Sequence, residues 1–202
     1  MAQLTAAQLR KRASAAWDRK EQWRSLYDDA YEFGLPQRNL YDGTWESETR
    51  GQSKGNRVFD STAVHATQRF ANRMQSGLFP PDKRWMTLQP GTAIPKDADD
   101  EVRQALQLYT DRVFDLLRAT NFDLAIGEFL MDMCVGTAAM MVQPSTMPHH
   151  HIVFTPIPSF LLALEEGPDG NVQNVFRKVK IPVENIERTW PDAKVPDALD
   201  RL

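Results

Sequence analysis

The stretch FDSTAVHATQRFANRMQSGLFPP, at residues 59–81, decides how this chain folds. Its apolar residues recur at three- and four-residue spacing, which is typical of an amphipathic helix. Gly77 interrupts the pattern, and Pro80 and Pro81 end it because proline has no backbone N–H to donate. We therefore predict a helix over residues 60–78. Its candidate N-caps are Asp60, Ser61 and Thr62, and its predicted inward-facing stripe is Ala63, Ala66, Phe70, Met74 and Leu78.

A second amphipathic segment, TNFDLAIGEFLMDMCVGTAAMMV at residues 120–142, has the same design. Helical spacing continues up to Gly136, which ends the pattern. Residues 137–143 then form an apolar run that is typical of a buried strand. The run RWMTL at residues 84–88 follows the first helix in the same way and also predicts a short strand. Each of the two helices is therefore expected to be followed directly by a strand.

Residues 4–33 are predicted to form one long helix, with Thr5 as its N-cap and with Gly34 and Pro36 at its end. Aromatic side chains recur along this helix, and basic side chains crowd its first half. Aromatic residues at helical spacing form a core or a subunit interface more often than a platform for stacking bases. The candidate packing or interface residues are Trp17, Trp23, Tyr27 and Tyr31, and the candidate polyanion contacts are Arg10, Lys11 and Arg12.

The last third of the chain changes from helical to extended patterns. The sequence GPDGN at residues 167–171 is typical of the turn of a β-hairpin. Together with the helical first half, this predicts an α+β fold, with long helices near the N-terminus followed by a small, mostly antiparallel β region. The predicted strands lie at residues 151–155, 160–164 and 172–180, and a short helix is predicted within residues 182–190.

These patterns divide the chain into four parts. Residues 1–36 form the N-terminal long helix. Residues 37–58 are polar and follow no period, which predicts a long flexible loop. Residues 59–143 form a helical core with short strands and include a further helix that ends near residue 119. Residues 144–202 form the β-rich segment.

The composition is that of an ordinary globular protein. The chain has 202 residues, a formal net charge of −3 and a single cysteine, so its overall charge does not mark it as nucleic-acid-binding. Cys134 lies in an apolar run and is predicted to be a buried, reduced thiol, which fits folding in the cytoplasm. The sequence shows no signal-peptide pattern, and none of its apolar stretches approaches the roughly 20 residues that a membrane helix needs.

No pattern in the sequence predicts catalysis, a cofactor or a metal. His149, His150 and His151 are adjacent, so in an extended chain they would point to opposite faces and not converge on one ion. The sequence contains no Walker loop, dinucleotide-binding glycine pattern or nucleophile elbow. The pair Glu165 and Glu166 flanks a turn and is predicted to be solvated. The sequence therefore favours an interaction protein over an enzyme.

In their order and spacing, these motifs resemble the portal proteins, or head-to-tail connectors, of podovirus-type bacteriophages. The resemblance covers roughly residues 5–192. It combines the start and the Pro-Pro end of one helix, a following Trp segment, a second helix that closes in Gly-Thr-Ala, and an acidic turn before an aromatic-Arg strand. The segments that carry it are Asp60-Ser61-Thr62-Ala63, Gly77-Leu78-Phe79-Pro80-Pro81, Trp85-Met86-Thr87-Leu88, Thr120-Asn121-Phe122, Gly136-Thr137-Ala138, Asp169-Gly170-Asn171 and Val175-Phe176-Arg177.

The resemblance implies a structural virion protein, made in the host bacterial cytoplasm. Such subunits form a dodecamer ring at one capsid vertex, through which double-stranded DNA is packaged and ejected. This chain would correspond to the outer wing, which contacts capsid and scaffold proteins. The clip, stem and crown, which meet the tail adaptor and the terminase, are expected beyond Leu202. The resemblance carries over no catalytic residue, cofactor, metal or membrane contact.

The basic residues of the first helix leave other interpretations open. They form either a solvated face or a surface for nucleic acid or an acidic partner. In the second case the chain would be a small nucleic-acid-binding or regulatory protein that uses Arg10, Lys11 and Arg12. A third class, a hydrolase, is supported only by the general presence of acids and histidines.

Overall fold

The structure, a computed structural model, describes residues 5–38, 58–91, 99–145, 151–179 and 181–192. Within these ranges it consists of six α-helices, five of which precede the first strand, and two antiparallel two-stranded sheets. This architecture confirms the predicted α+β class. The elements are α1 (Ala6–Glu21), α2 (Arg24–Gly34), α3 (Thr62–Leu78), α4 (Asp99–Arg118), α5 (Phe122–Met133), β1 (Ala139–Pro144), β2 (Ile152–Ile157), β3 (Leu162–Glu166), β4 (Val172–Arg177) and α6 (Glu184–Thr189).

Some sequence predictions concern residues outside the described ranges. They include residues 39–57 of the predicted loop, His149 and His150, and residues 193–202. The first residues of the predicted loop are described, and they belong to a short 3₁₀ turn, Pro36–Arg38.

The N-terminal segment is two helices, so the prediction of a single long helix is wrong at one point. Its start is as predicted, because Thr5 and Gln8 form a reciprocal capping box, in which the Thr5 N–H donates to Gln8 Oε1 at 2.9 Å. The helix then breaks at Gln22 and Trp23, where the Trp23 N–H donates to the Lys20 carbonyl at 2.9 Å. Neither residue is a glycine or a proline, so the sequence contains no conventional signal for this break.

Helix α3 ends at Leu78 as predicted and begins two residues later than predicted, at Thr62, but it buries a different face. Asp60 accepts hydrogen bonds from the Thr62 hydroxyl and backbone N–H, at 2.7 and 2.9 Å, and these bonds lower the pKa of Asp60. Ala71 is buried, whereas Phe70 is 41% exposed. The predicted stripe is therefore wrong except at Met74. The buried and half-buried positions are Val64, Thr67, Ala71, Met74 and Gln75, and Ala63, Ala66, Phe70 and Leu78 are exposed.

Small residues explain why this face of α3 is the buried one. A Cβ atom added at Gly34 of α2 would lie only 3.4 Å from Thr67 Oγ1, so α2 and α3 approach closely there. On the α5 side, Ala71 packs with Ile126 and Leu130 in the hydrophobic core. Compact side chains on α3 let both neighbouring helices come close, whereas Phe70 would hold them apart.

The segment at residues 84–88 is not a strand, which corrects that prediction. It runs along α4 without a strand partner, and the Leu88 N–H donates to the Thr110 hydroxyl at 3.2 Å. The Trp85 ring packs edge-on against Phe114 at a centroid distance of 5.5 Å and stacks with Phe122 at 5.8 Å. The Thr110 hydroxyl thus accepts the backbone hydrogen bond of Leu88 that a neighbouring strand was expected to accept.

The β region confirms the predicted hairpin. Strands β3 and β4 pair antiparallel from Leu162 opposite Arg177, and Gly170 in the connecting turn has a φ of 71°. Glycine adopts this left-handed conformation without steric cost. Strands β1 and β2 form the other antiparallel pair. The Asn121 side chain, just before α5, donates to the Phe154 carbonyl at 2.7 Å and accepts from its N–H at 3.0 Å, which fixes α5 against β2.

Helix α5 is the centre of the fold, since it contacts α3, α4, β1 and β2. Ile126 and Leu130 are its buried apolar positions in the core. Other side chains that pack around this core are partly buried, namely Met74, Phe79, Phe122, Phe129, Met131 and Met140.

Replacing Leu130 by alanine should destabilise the protein by about 2–5 kcal/mol, because the substitution leaves a cavity in the core. Leu124 is the matched control, since it lies on the same helix but is 70% exposed. The Leu124→Ala variant should change the free energy of unfolding by less than about 0.5 kcal/mol. Urea denaturation of both variants would measure the difference, and equal effects would refute this assignment of the core.

Candidate interaction surface

Tyr31 lies at the centre of a buried polar network. Its hydroxyl donates to Asp132 Oδ1 at 3.4 Å and accepts from the Ser159 backbone N–H at 3.2 Å, and all three residues are buried. Arg38 forms an ion pair with Asp132, and its second terminal nitrogen lies 2.7 Å from Glu128 Oε2. The network thus joins α2, the turn that follows it, α5 and the segment before β3.

Burial dominates the electrostatics of this network. It raises the pKa of Asp132 to about 6, although Arg38 and the Tyr31 hydroxyl both favour the charged form. A carboxylate removed from water is costly unless it is paired and hydrogen-bonded. Arg38 and Tyr31 supply those partners, and the loss of either would leave a buried polar group unsatisfied.

Sequence reasoning identified Tyr31 but missed its partners. Asp132 stands between Met131 and Met133 in an apolar helix. A charged residue is rarely buried without a partner, so its position indicated that a polar group lies opposite it. Arg38 gave no such signal, because it lies in a polar stretch that was predicted to be a loop. Ser159 contributes only its backbone N–H at this position, which side-chain patterns cannot reveal.

Trp17 and Tyr27 lie beside a second cationic group, Lys20. The Lys20 ammonium donates to the carbonyls of Ser159 and Leu162, and it lies 5.3 Å from the ring centroids of both Trp17 and Tyr27. Burial, with a smaller effect from nearby Lys178, lowers the pKa of Lys20 to about 8. These contacts hold α1 against the start of β3.

A cleft of about 300 Å³ opens where α1 ends and α2 begins. Its walls include the charged Arg19 and Glu166 and the aromatic Trp23 and Tyr27. Trp23 is 60% exposed, whereas Tyr27 is half-buried. The four candidate aromatic residues therefore divide into buried Tyr31, half-buried Trp17 and Tyr27, and exposed Trp23.

The three candidate polyanion contacts also lie in different environments. Arg12 binds Glu165 of β3 through three nitrogen–oxygen distances of 3.0 Å, and this contact lowers the pKa of Glu165. The prediction that Glu165 is solvated is therefore wrong. Arg10 and Lys11 are exposed. Arg12 thus has a structural partner, and the other two side chains project into solvent.

Cys134, at the end of α5, is exposed, which corrects the prediction of a buried thiol. Its sulfur lies 3.6 Å from the Leu130 carbonyl, and partial desolvation raises the pKa of the thiol. A thiol with a raised pKa is a weak nucleophile at neutral pH.

The described residues show neither a metal site nor a membrane-spanning helix. No group of three or more His, Cys, Asp or Glu side chains in that part of the chain is placed to hold a metal ion. None of the helices within it combines the length and the apolar character that crossing a membrane requires.

Comparison with known proteins identifies the family of this chain. Residues 6–202 match the family described as bacteriophage head to tail connecting protein. The chain belongs to this family, as its motifs predicted. It is also similar to the "Probable portal protein" of Bordetella phage BPP-1, with 22% identity over 187 residues. That match covers 91% of this chain but 32% of the relative, so the chain spans about a third of the relative's length.

The Tyr31→Phe variant should lose about 1–3 kcal/mol of stability, because the buried Ser159 N–H loses its acceptor and Asp132 loses a donor. Tyr109→Phe is the matched control, since Tyr109 is exposed on α4. Chemical denaturation should show a large loss for the first variant and almost none for the second. If both variants were as stable as the wild type, the buried network would not contribute to stability.

The Asp132→Asn variant should change how stability depends on pH. The pKa of Asp132 is higher in the folded state, about 6, than its ordinary value of 3.8, so the folded state binds this proton more tightly. The contribution of Asp132 to stability therefore falls as the pH rises between these values and is constant above pH 6.

An asparagine does not titrate. The free energy of unfolding of Asp132→Asn, relative to the wild type, should therefore rise by up to about 3 kcal/mol between pH 4 and pH 7. Denaturation of both proteins across this pH range would measure the difference in the free energy of unfolding. The titration of the other carboxylates affects both proteins equally and cancels in this difference. A difference that stays constant with pH would contradict the buried state of Asp132.

Proposed function

We propose that this chain is the wing portion of a portal subunit, which assembles into a ring at a capsid vertex. Double-stranded DNA passes through the ring during packaging and ejection. The role is structural, and no residue of the chain acts in catalysis. The family assignment supports the connector role, and the Bordetella phage relative, a probable portal protein, supports this particular kind of connector.

The exposure of large apolar side chains is the observation that carries the ring proposal. In the described part of the chain, seventeen large hydrophobic residues are exposed, compared with twelve hydrophobic residues that are buried. Single exposed apolar residues are normal on a monomer, whereas apolar residues that gather on one surface mark an interaction site. Twelve of the seventeen lie on helices or strands, which can present such a surface. A subunit that buries them against neighbours would account for the excess.

The partners follow from this role. Copies of the same chain would form a closed, head-to-tail ring, for which we propose twelve subunits. Capsid and scaffold proteins would contact the wing. The tail adaptor and the terminase would bind through other parts of the subunit. We propose that the ring is assembled in the host bacterial cytoplasm and becomes part of the virion.

The four aromatic candidates would have two different roles in such a subunit. Tyr31 is completely buried and would pack the wing internally. Trp23 is exposed beside the cleft and would lie at a contact between subunits. Trp17 and Tyr27 hold Lys20 and would support the cleft from within.

The proposal is tested by the native mass of the purified chain, together with electron microscopy of the particles. Closed rings are expected, and the Trp23→Ala variant should weaken their assembly without lowering the thermal midpoint of the unassembled chain. A monomer at every concentration would contradict assembly by this chain. If such a monomer bound DNA, and reversing the charges of Arg10 and Lys11 abolished the binding, the nucleic-acid-binding alternative would replace the ring proposal.

A further inference from the structure

Helix α3 carries a second apolar face, separate from the one that it buries. Ala63, Ala66 and Phe70 follow helical spacing and are all exposed. Phe59, three residues before the helix begins, is 95% exposed. These four residues are termed the α3 face. In the sequence, its two phenylalanines flank its two alanines, so large apolar side chains stand on either side of small ones.

Positive charge borders the α3 face. Arg69 and Arg73 are one helical turn apart, next to Phe70. Helix α3 contains no Asp or Glu, and neither arginine forms an ion pair within the described residues. The most favourable partner would therefore be apolar at its centre and acidic at its edge.

Helix α2 presents a surface with those properties. Trp23 and Leu26 are 60% and 61% exposed, and Asp29 is also exposed. These residues recur every three positions and lie along one side of the helix. They are termed the α2 ridge. Helix α2 contains three acidic residues and one basic residue, a net charge of −2, whereas α3 contains two arginines and no acid.

We propose that the α2 ridge of one copy docks on the α3 face of a second copy of this chain. The large side chains of Trp23 and Leu26 cover the positions of Ala63 and Ala66, and Asp29 meets Arg69 and Arg73. This inference rests on the proposed ring, since it names the two surfaces that meet between subunits. A contact between two different surfaces is the heterologous type that generates rings.

Reciprocal charge reversal tests the pairing. One variant carries Asp29→Arg on the ridge, and the other carries Arg69→Glu and Arg73→Glu on the α3 face. Each alone brings like charges together, so its self-association should weaken on the order of tenfold or more. An equimolar mixture should recover the association, because each reversed surface then meets an opposite charge on the other variant. Sedimentation velocity over a concentration series measures each case.

Two controls separate this pairing from general effects of charge or folding. The Arg112→Glu/Arg118→Glu variant reverses two exposed arginines on α4 and should associate like the wild type. At a concentration at which every variant is a monomer, all thermal midpoints should equal that of the wild type, because every substituted side chain is exposed. The Leu26→Ser variant should weaken association, whereas Leu124→Ser, an equally polar change on α5, should not.

The outcomes distinguish this inference from the proposed ring. If the wild-type chain does not associate, both the ring and the pairing are refuted. If it associates and the charge variants associate equally well, the ring proposal stands and the pairing is refuted. If each variant is weakened but the mixture does not recover, both surfaces contribute to association without meeting each other, and the pairing is refuted.

Discussion

The contact between the Tyr31 hydroxyl and Asp132, with Arg38 on the other side of the carboxylate, is the interaction on which the remaining structure depends. It is the place where α2, α5 and the start of β3 meet, and Tyr31, Asp132 and Ser159 are buried there, whereas Arg38 is half-buried. A polar network of this kind stabilises a fold only when all its members are satisfied. Its geometry therefore specifies how the three elements are positioned, more strictly than apolar contacts would.

Around this network, aromatic rings complete the packing on the other side of α5. Trp85, Phe114 and Phe122 pack with Phe79 and Phe154 at centroid distances between 5.0 and 5.8 Å. Edge-on and offset ring pairs stabilise beyond the area that they bury. This array compensates for a small aliphatic core, and it explains why the segment that contains Trp85 needs no strand partner.

The sequence predicted most of the secondary structure, because helix periods, capping residues and the GPDGN turn act locally. It misplaced the buried face of α3, since the choice between Phe70 and Ala71 is made by the distance to α2 and α5, which is a tertiary property. It also missed the break at Trp23 and the roles of Arg38 and Lys20. These polar side chains bind residues more than ninety positions away in the sequence, so no local pattern indicates the contacts.

The break at Gln22 and Trp23 has a mechanical consequence. Before it, α1 is fastened to the β3–β4 hairpin through Arg12 and Lys20. After it, α2 is fastened through Tyr31 to α5 and to the segment before β3. The N-terminal segment is therefore anchored on both sides of the break, so the angle between α1 and α2 is fixed by contacts with the rest of the fold and not by the backbone at Gln22 and Trp23 alone.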